Sequence, residues 1–226
     1  MPAHSTTCLA LRKTAHVSLC AIALLIAACA APRHGEVPPD SPEIGKAAAA
    51  LRKLNPAAVQ AYALRVRLAN VPGPFETVQG TAQYDVQNPG RCGRGDAFAG
   101  AMPRISSNEP FDLVKVAEGE YLGTIHLDRI IDEAYYGREV CHWALAEVRV
   151  ALAGNLRPES TRFVAGMDAA SIQQQGVATR YFWGGYYPRA TMDAFKDLGD
   201  ADLEDVPPEK RSEFFSISLS AAPISR

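Results

Sequence analysis

Tyr62-Ala63-Leu64-Arg65-Val66-Arg67-Leu68-Ala69 sets the fold class. Tyr62, Leu64, Val66 and Leu68 alternate with small or cationic residues, a period of two that places the apolar set on one face of a half-buried strand. Val71-Pro72-Gly73-Pro74 follows as a turn. Val78, Gly80, Ala82, Tyr84 and Val86 then line one face of a second strand, and the two are expected to pair as a hairpin. Asn88-Pro89-Gly90 breaks the pattern and opens a Gly-rich loop that runs through Pro110.

Downstream, strands are expected at 111–117, 121–128, 140–152, 161–165, 177–183 and 213–221. In the longest, the apolar face moves from Cys141, Trp143 and Leu145 to Val148, Val150 and Leu152, which predicts a bulge near Ala146. Eight short strands argue for an all-β domain, an immunoglobulin- or transthyretin-like β-sandwich, with a barrel as the second choice. Upstream, Ser41-Pro42 reads as an N-cap with proline in the first helical position. The Ala-, Lys- and Leu-rich run 43–54 that follows predicts one short N-terminal helix, stopped by Asn55-Pro56.

The first 28 residues read as an address. Arg12 and Lys13 form a positive start, and the apolar run 17–28 is too short to span a bilayer, which needs about 20 residues. Leu25-Ile26-Ala27-Ala28-Cys29 resembles a lipobox, the cleavage site of bacterial lipoprotein precursors, with Ile26 where Leu is commonest. The resemblance implies a signal peptide over 1–28, lipid on Cys29, a Pro-rich tether over 29–41 and a single domain over 42–226. Ala28-Cys29-Ala30 also fits an ordinary signal-peptidase site, which would release a soluble periplasmic protein. Ala30, in place of an aspartate that would hold a lipoprotein in the inner membrane, implies the outer membrane, facing the periplasm. Removing 1–28 takes Arg12 and Lys13 and leaves the formal charge at −4 in place of −2. That mild acidity argues against a nucleic-acid partner and leaves the N-terminal lipid as the sole membrane contact.

Export also frames the cysteines. Cys8 and Cys20 leave with the signal and Cys29 takes lipid, so Cys92 and Cys141 remain to pair in an oxidising compartment. Two separate buried thiols are the alternative. A bridge across 49 residues would stabilise the domain by ~4 kcal/mol in the chain-entropy model.

Chemistry-bearing motifs are sparse. The chain contains no Gly-x-Ser-x-Gly, no His-Glu-x-x-His and no phosphate loop. His126, Asp128, Asp132 and His142 form a weak candidate for a mixed metal site, and satisfied surface residues explain them better. No catalytic residue, no metal and no cofactor is therefore expected. Arg94-Gly95-Asp96 reads as a chance Gly turn. The segment 181–188, Tyr-Phe-Trp-Gly-Gly-Tyr-Tyr-Pro, holds five aromatics, which either anchor an interface or fill the end of the core. Seven acids then fall between Asp193 and Glu209 against one Lys196. Tyr181, Trp183, Tyr186 and Tyr187 with Asp197, Asp200, Asp202 and Asp205 are thus the candidate partner-binding residues.

The stretch 132–143, Asp-Glu-Ala-Tyr-Tyr-Gly-Arg-Glu-Val-Cys-His-Trp, resembles a segment of small uncharacterised proteobacterial envelope lipoproteins, in which Tyr-Tyr-Gly precedes a Val-Cys-x-Trp strand. Glu139 stands where that segment has a glycine. Several such lipoproteins resemble immunity proteins. The resemblance implies a non-enzymatic, lipid-anchored binder of a periplasmic protein, with toxin neutralisation as one form of that role. An envelope accessory or assembly lipoprotein is the alternative, and a periplasmic hydrolase is a third.

Overall fold

The computed structural model describes residues 50–93 and 104–225. Its strands are β1 (Ala61–Ala69), β2 (Thr77–Val86), β3 (Ser106–Phe111), β4 (Leu113–Ala117), β5 (Glu120–His126), β6 (Trp143–Ala153), β7 (Arg162–Asp168), β8 (Val177–Trp183), β9 (Lys196–Asp197) and β10 (Phe214–Pro223). They form two five-stranded sheets, in the orders β4-β5-β1-β10-β8 and β3-β2-β6-β7-β9. Every pairing is antiparallel except β7 with β9. The sheets pack face to face as a sandwich-like all-β fold and do not close into a barrel. Two short helices, α1 (Pro89–Cys92) and α2 (Ala169–Gln173), interrupt the strands. The signal, Cys29, the tether, the helical run 43–49 and Arg94-Gly95-Asp96 lie outside the described residues.

The expected hairpin is not formed. β1 and β2 stand in different sheets, and the chain between them crosses from one layer to the other. Each strand has one apolar face, and burying two such faces against each other satisfies both, whereas a hairpin would set them side by side. Leu64 and Val66 of β1 thus meet Ala82 and Tyr84 of β2 in one core. A similar crossing splits the expected strand 111–117, since Phe111 ends β3 in one sheet and Leu113 begins β4 in the other. The Gly-rich loop expected to run through Pro110 contains α1 and β3. Pro110 fits there because β3 is an edge strand, where a missing N–H leaves no ladder bond unmade. Opposite it, Gly80 makes room for the Phe111 ring, which a Cβ at that position would meet at 2.4 Å.

The bulge is where the apolar face shifts. Gln83 pairs with Glu147 and Tyr84 with Leu145, so Ala146 has no partner. The extra residue keeps Leu145 on the same side as Val148, Val150 and Leu152, all buried. Strand β6 starts three residues later than the pattern predicts. Val140 and His142 are held instead by Asn88, whose side-chain amide donates to the Val140 carbonyl (2.8 Å) and accepts from His142 N–H (3.0 Å), and Cys141 N–H donates to the Glu133 carbonyl (3.0 Å).

Cys92 and Cys141 are joined, with Cα atoms 5.1 Å apart. The bridge sits in a small second core with Val86, against Tyr135, Tyr136 and Trp143. The two tyrosines hold the incoming chain. Lys53 N–H donates to the Tyr135 hydroxyl (3.0 Å), which donates to the Ile131 carbonyl (2.6 Å), and Leu51 N–H donates to the Tyr136 hydroxyl (3.3 Å). Residues 50–54 are consequently not helical, with Leu54 bridged to Ile130, and the last part of the expected helix is absent. The turn in this segment is made at Gly137, whose φ of 70° suits glycine, so Glu139 remains outside it and faces Arg91 at 3.5 Å.

Because the bridge closes a 49-residue loop, the paired Cys92→Ala and Cys141→Ala variant is expected to lose ~4 kcal/mol in urea denaturation. An unchanged midpoint and slope would show that the second core does not need the bridge.

Candidate binding surface

Strand β8 is an edge of its sheet, and alternation sorts its aromatics. Phe182 turns inward and is 1% exposed, which obliges Tyr181 and Trp183 to face out. Trp183 remains 40% exposed although its ring is fixed twice. Its indole N–H donates to the Glu213 carboxylate (2.9 Å), and the Tyr186 ring meets it edge-on at 5.0 Å. Gly185 permits this, since a Cβ there would lie 2.5 Å from the indole. On its other side Tyr186 packs edge-on against Phe195 at 5.1 Å.

Tyr187 is committed to the fold. Its hydroxyl donates to the Pro74 carbonyl (2.5 Å), and its ring lies against Gly73 and Gly154 and meets Phe75 edge-on. The aromatic segment thus divides into core (Phe182), turn anchor (Tyr187) and outward face (the exposed Trp183 with the half-buried Tyr181 and Tyr186).

The acidic stretch lies beside these aromatics. Strand β9 pairs with β7, the chain turns at Gly199 (φ 63°), and Asp200 exchanges both backbone hydrogen bonds with Tyr181 (2.9 and 2.8 Å). Residues 196–200 therefore touch an edge of each sheet. Asp200, Asp202 and Asp205 are exposed, and Asp202 accepts from Glu204 N–H at 3.0 Å. Asp193 is paired with Arg189. Asp197 is half-buried: it accepts from Gly199 N–H (2.9 Å), and burial pushes its carboxyl above the usual range, opposed by that bond and aided by the charge of Asp200.

The histidines do not converge with the acids into a metal centre, and among the described residues no group of three His, Cys, Asp or Glu is placed to hold an ion. Both carboxylate oxygens of Asp128 accept backbone N–H groups, from Val59 (2.9 Å) and Gln60 (3.0 Å). Asp132 accepts from Trp143 N–H (2.8 Å), and its other oxygen lies 2.8 Å from His142 Nδ1. His126 lines a separate cleft of about 590 Å3 at the lateral mouth of the sandwich, with Tyr84, Glu109 and Arg129. The Tyr84 hydroxyl donates to the His126 carbonyl (2.5 Å), and burial pushes its phenol up. Glu109 points inward from β3 and is 5% exposed. Burial raises its carboxyl, but the Arg52 and Ser107 hydrogen bonds outweigh this and leave it below the usual range. Sequence reading missed Glu109 because it stands in a stretch that reads as loop.

The chain matches no family model, no curated protein and no solved structure.

A raised Asp197 carboxyl means that the folded state holds this proton more tightly than the unfolded state. Its contribution is present at acid pH and is lost as pH rises from the ordinary carboxylate value through the raised one. Asp197→Asn, which keeps the acceptor for Gly199, is expected to melt above wild type at about pH 7 and close to it at about pH 4. Comparison with wild type at each pH cancels Asp85 and Glu109, whose lowered values act in the opposite direction. A constant difference between the two melting temperatures would contradict this.

Proposed function

We propose that this chain is an exported lipoprotein, cut before Cys29 and anchored by lipid on it, whose β domain binds a protein partner in the periplasm without catalysis. The outer membrane is the proposed address, and neutralisation of a toxin is the proposed form of the activity. The lipobox-like run ending at Cys29 supports the address. Pairing of Cys92 with Cys141 accords with an oxidising compartment.

One observation carries the binding reading. Trp183 is a large, exposed aromatic whose ring is already immobilised by Glu213 and Tyr186. A partner that covers it gains apolar area and loses little side-chain entropy, which is how aromatic anchors behave at protein interfaces. Tyr181 stands on the same strand face, Asp200 is bridged to it, and the exposed Asp202 and Asp205 follow close behind in the chain, so the partner should present a basic rim. Tyr187 and Asp197, both tied into the fold, act in this reading as supports.

The test uses oxidised protein of residues 30–226 as bait in an envelope extract of the native cell, wild type beside Trp183→Ala. One stoichiometric protein retained by wild type and weakened by about 2 kcal/mol, roughly 30-fold, in the variant is expected. Equal retention by both baits would sink the proposed surface. A secreted toxin as the retained protein supports the immunity role, whereas envelope machinery supports the accessory role. In cells, incorporation of a labelled fatty acid into wild type and its loss in Cys29→Ala tests the anchor.

A further inference from the structure

Where β6 runs into the loop before β7, the outer face of the second sheet holds a hollow of about 250 Å3. Alternation makes its floor small. Leu152 and Phe163 turn into the core, so Ala151 and Ala153 of β6 and Arg162 of β7 face outward. The loop 155–160 forms one wall. The Asn155 side chain accepts from Arg157 N–H (3.0 Å) and from the Ser160 hydroxyl, and Ser160 N–H donates to the Arg157 carbonyl (3.1 Å), so the backbone that carries Arg157 is fixed. Arg157 and Arg162 both line the hollow, together with the half-buried Thr77 and Asn155. No Asp or Glu lines it among the described residues.

Lys196 adds a third cation. β9 runs parallel to β7 in the register Arg162↔Lys196 and Phe163↔Asp197. Phe163 lies in the core, so Asp197 shares its side and Lys196 shares the outer side with Arg162. Like charges side by side on neighbouring strands repel, and an acid beside them is the ordinary remedy. Elsewhere the domain supplies one: Arg149 on the same outer face lies against Glu147, Arg65 and Arg67 against Glu120, and Arg189 against Asp193. Arg157, Arg162 and Lys196 are exposed and make no salt bridge or side-chain hydrogen bond among the described residues. What settles them is an anion from outside. A carboxylate brings one charge and two oxygens, which leaves two of the three cations uncompensated. A phosphate monoester brings nearly two charges at neutral pH and three terminal oxygens, enough for the forks of both arginines and the Lys196 ammonium. Set against the ~30 Å3 of one water in the liquid, the hollow suits a phosphoryl group with the first atoms of its ester.

We propose that this hollow binds the phosphoryl group of a phosphate monoester, held by Arg157 and Arg162 with Lys196 beside them. It lies on the sheet that does not carry Trp183, and either site can fail without the other. The test uses oxidised protein of residues 30–226, which keeps every described residue. The probes are glycerol phosphate, with acetate as the carboxylate comparison, by calorimetry, and phosphatidylcholine vesicles with and without phosphatidic acid, by flotation. Saturable binding of glycerol phosphate or of the phosphatidic-acid vesicles, weakened roughly tenfold in Arg157→Gln and in Arg162→Gln, is expected. Binding of glycerol phosphate identifies a soluble ester as the source, and binding of the vesicles alone identifies a lipid headgroup. Arg162→Gln should also melt no lower than wild type, because it removes a repulsive neighbour of Lys196. A lower melting temperature would make Arg162 a structural residue and overturn its assignment. No saturable binding of either phosphate probe, acetate bound as tightly as glycerol phosphate, or unchanged affinity in both variants would each overturn the proposal.

Discussion

Phe163, Phe182 and Phe215 lock the two sheets together. Phe163 comes from β7 in one sheet, and it meets Phe182 and Phe215 of the other edge-on, with ring centroids 5.7 and 5.0 Å away. Phe182 and Phe215 stack at 5.2 Å, and Phe75, from the crossing between β1 and β2, closes the group. Such pairs add about 0.5–1.5 kcal/mol each beyond the area they bury. Their larger consequence is geometric. With Phe182 fixed inward, the period of two leaves Tyr181 and Trp183 no direction but outward. The proposed binding surface is thus the back of a core contact, and its stiffness comes from the core.

A second constraint governs how the domain receives its N-terminal chain. The disulfide fixes residues 132–143 against α1, and Tyr135 and Tyr136 from that segment hold the backbone at Leu51 and Lys53. Arg52 adds an ion pair to the inward Glu109, and Lys53 another to Glu133. The Tyr-Tyr-Gly motif therefore works as a clasp on the chain that enters the domain. Its rings pack on the bridge while its hydroxyls meet the backbone at Leu51 and Lys53.

Much of this was legible in the sequence, and the misses share a cause. The period of two located β1, β5 and β10 because each has one wet and one dry face, whereas in β2 the alternation is one of polarity, with Gln83 and Asp85 buried beside Tyr84. The Ala146 bulge was visible as a slip in the same pattern. Which strands pair was not visible, since an apolar face does not say whether its partner lies beside it or across the core. That is why β1 and β2 read as a hairpin. Strand β3 was hidden because its inward residues are Ser107 and Glu109, which carry no apolar signal until Arg52 arrives from elsewhere in the chain. Nor could spacing separate Tyr187 from Trp183, because the division depends on Gly73 and Gly154 being close enough to receive the Tyr187 ring.

If the outward face beside Phe182 is where the partner sits, contact should be detectable in the living cell and restricted to that face. A photo-crosslinking amino acid placed at 183, with a control at the exposed Gln79 on the other sheet, measures this directly. The account predicts one discrete crosslinked species from position 183 and none from position 79. No crosslink at 183, or the same species from both positions, would contradict it.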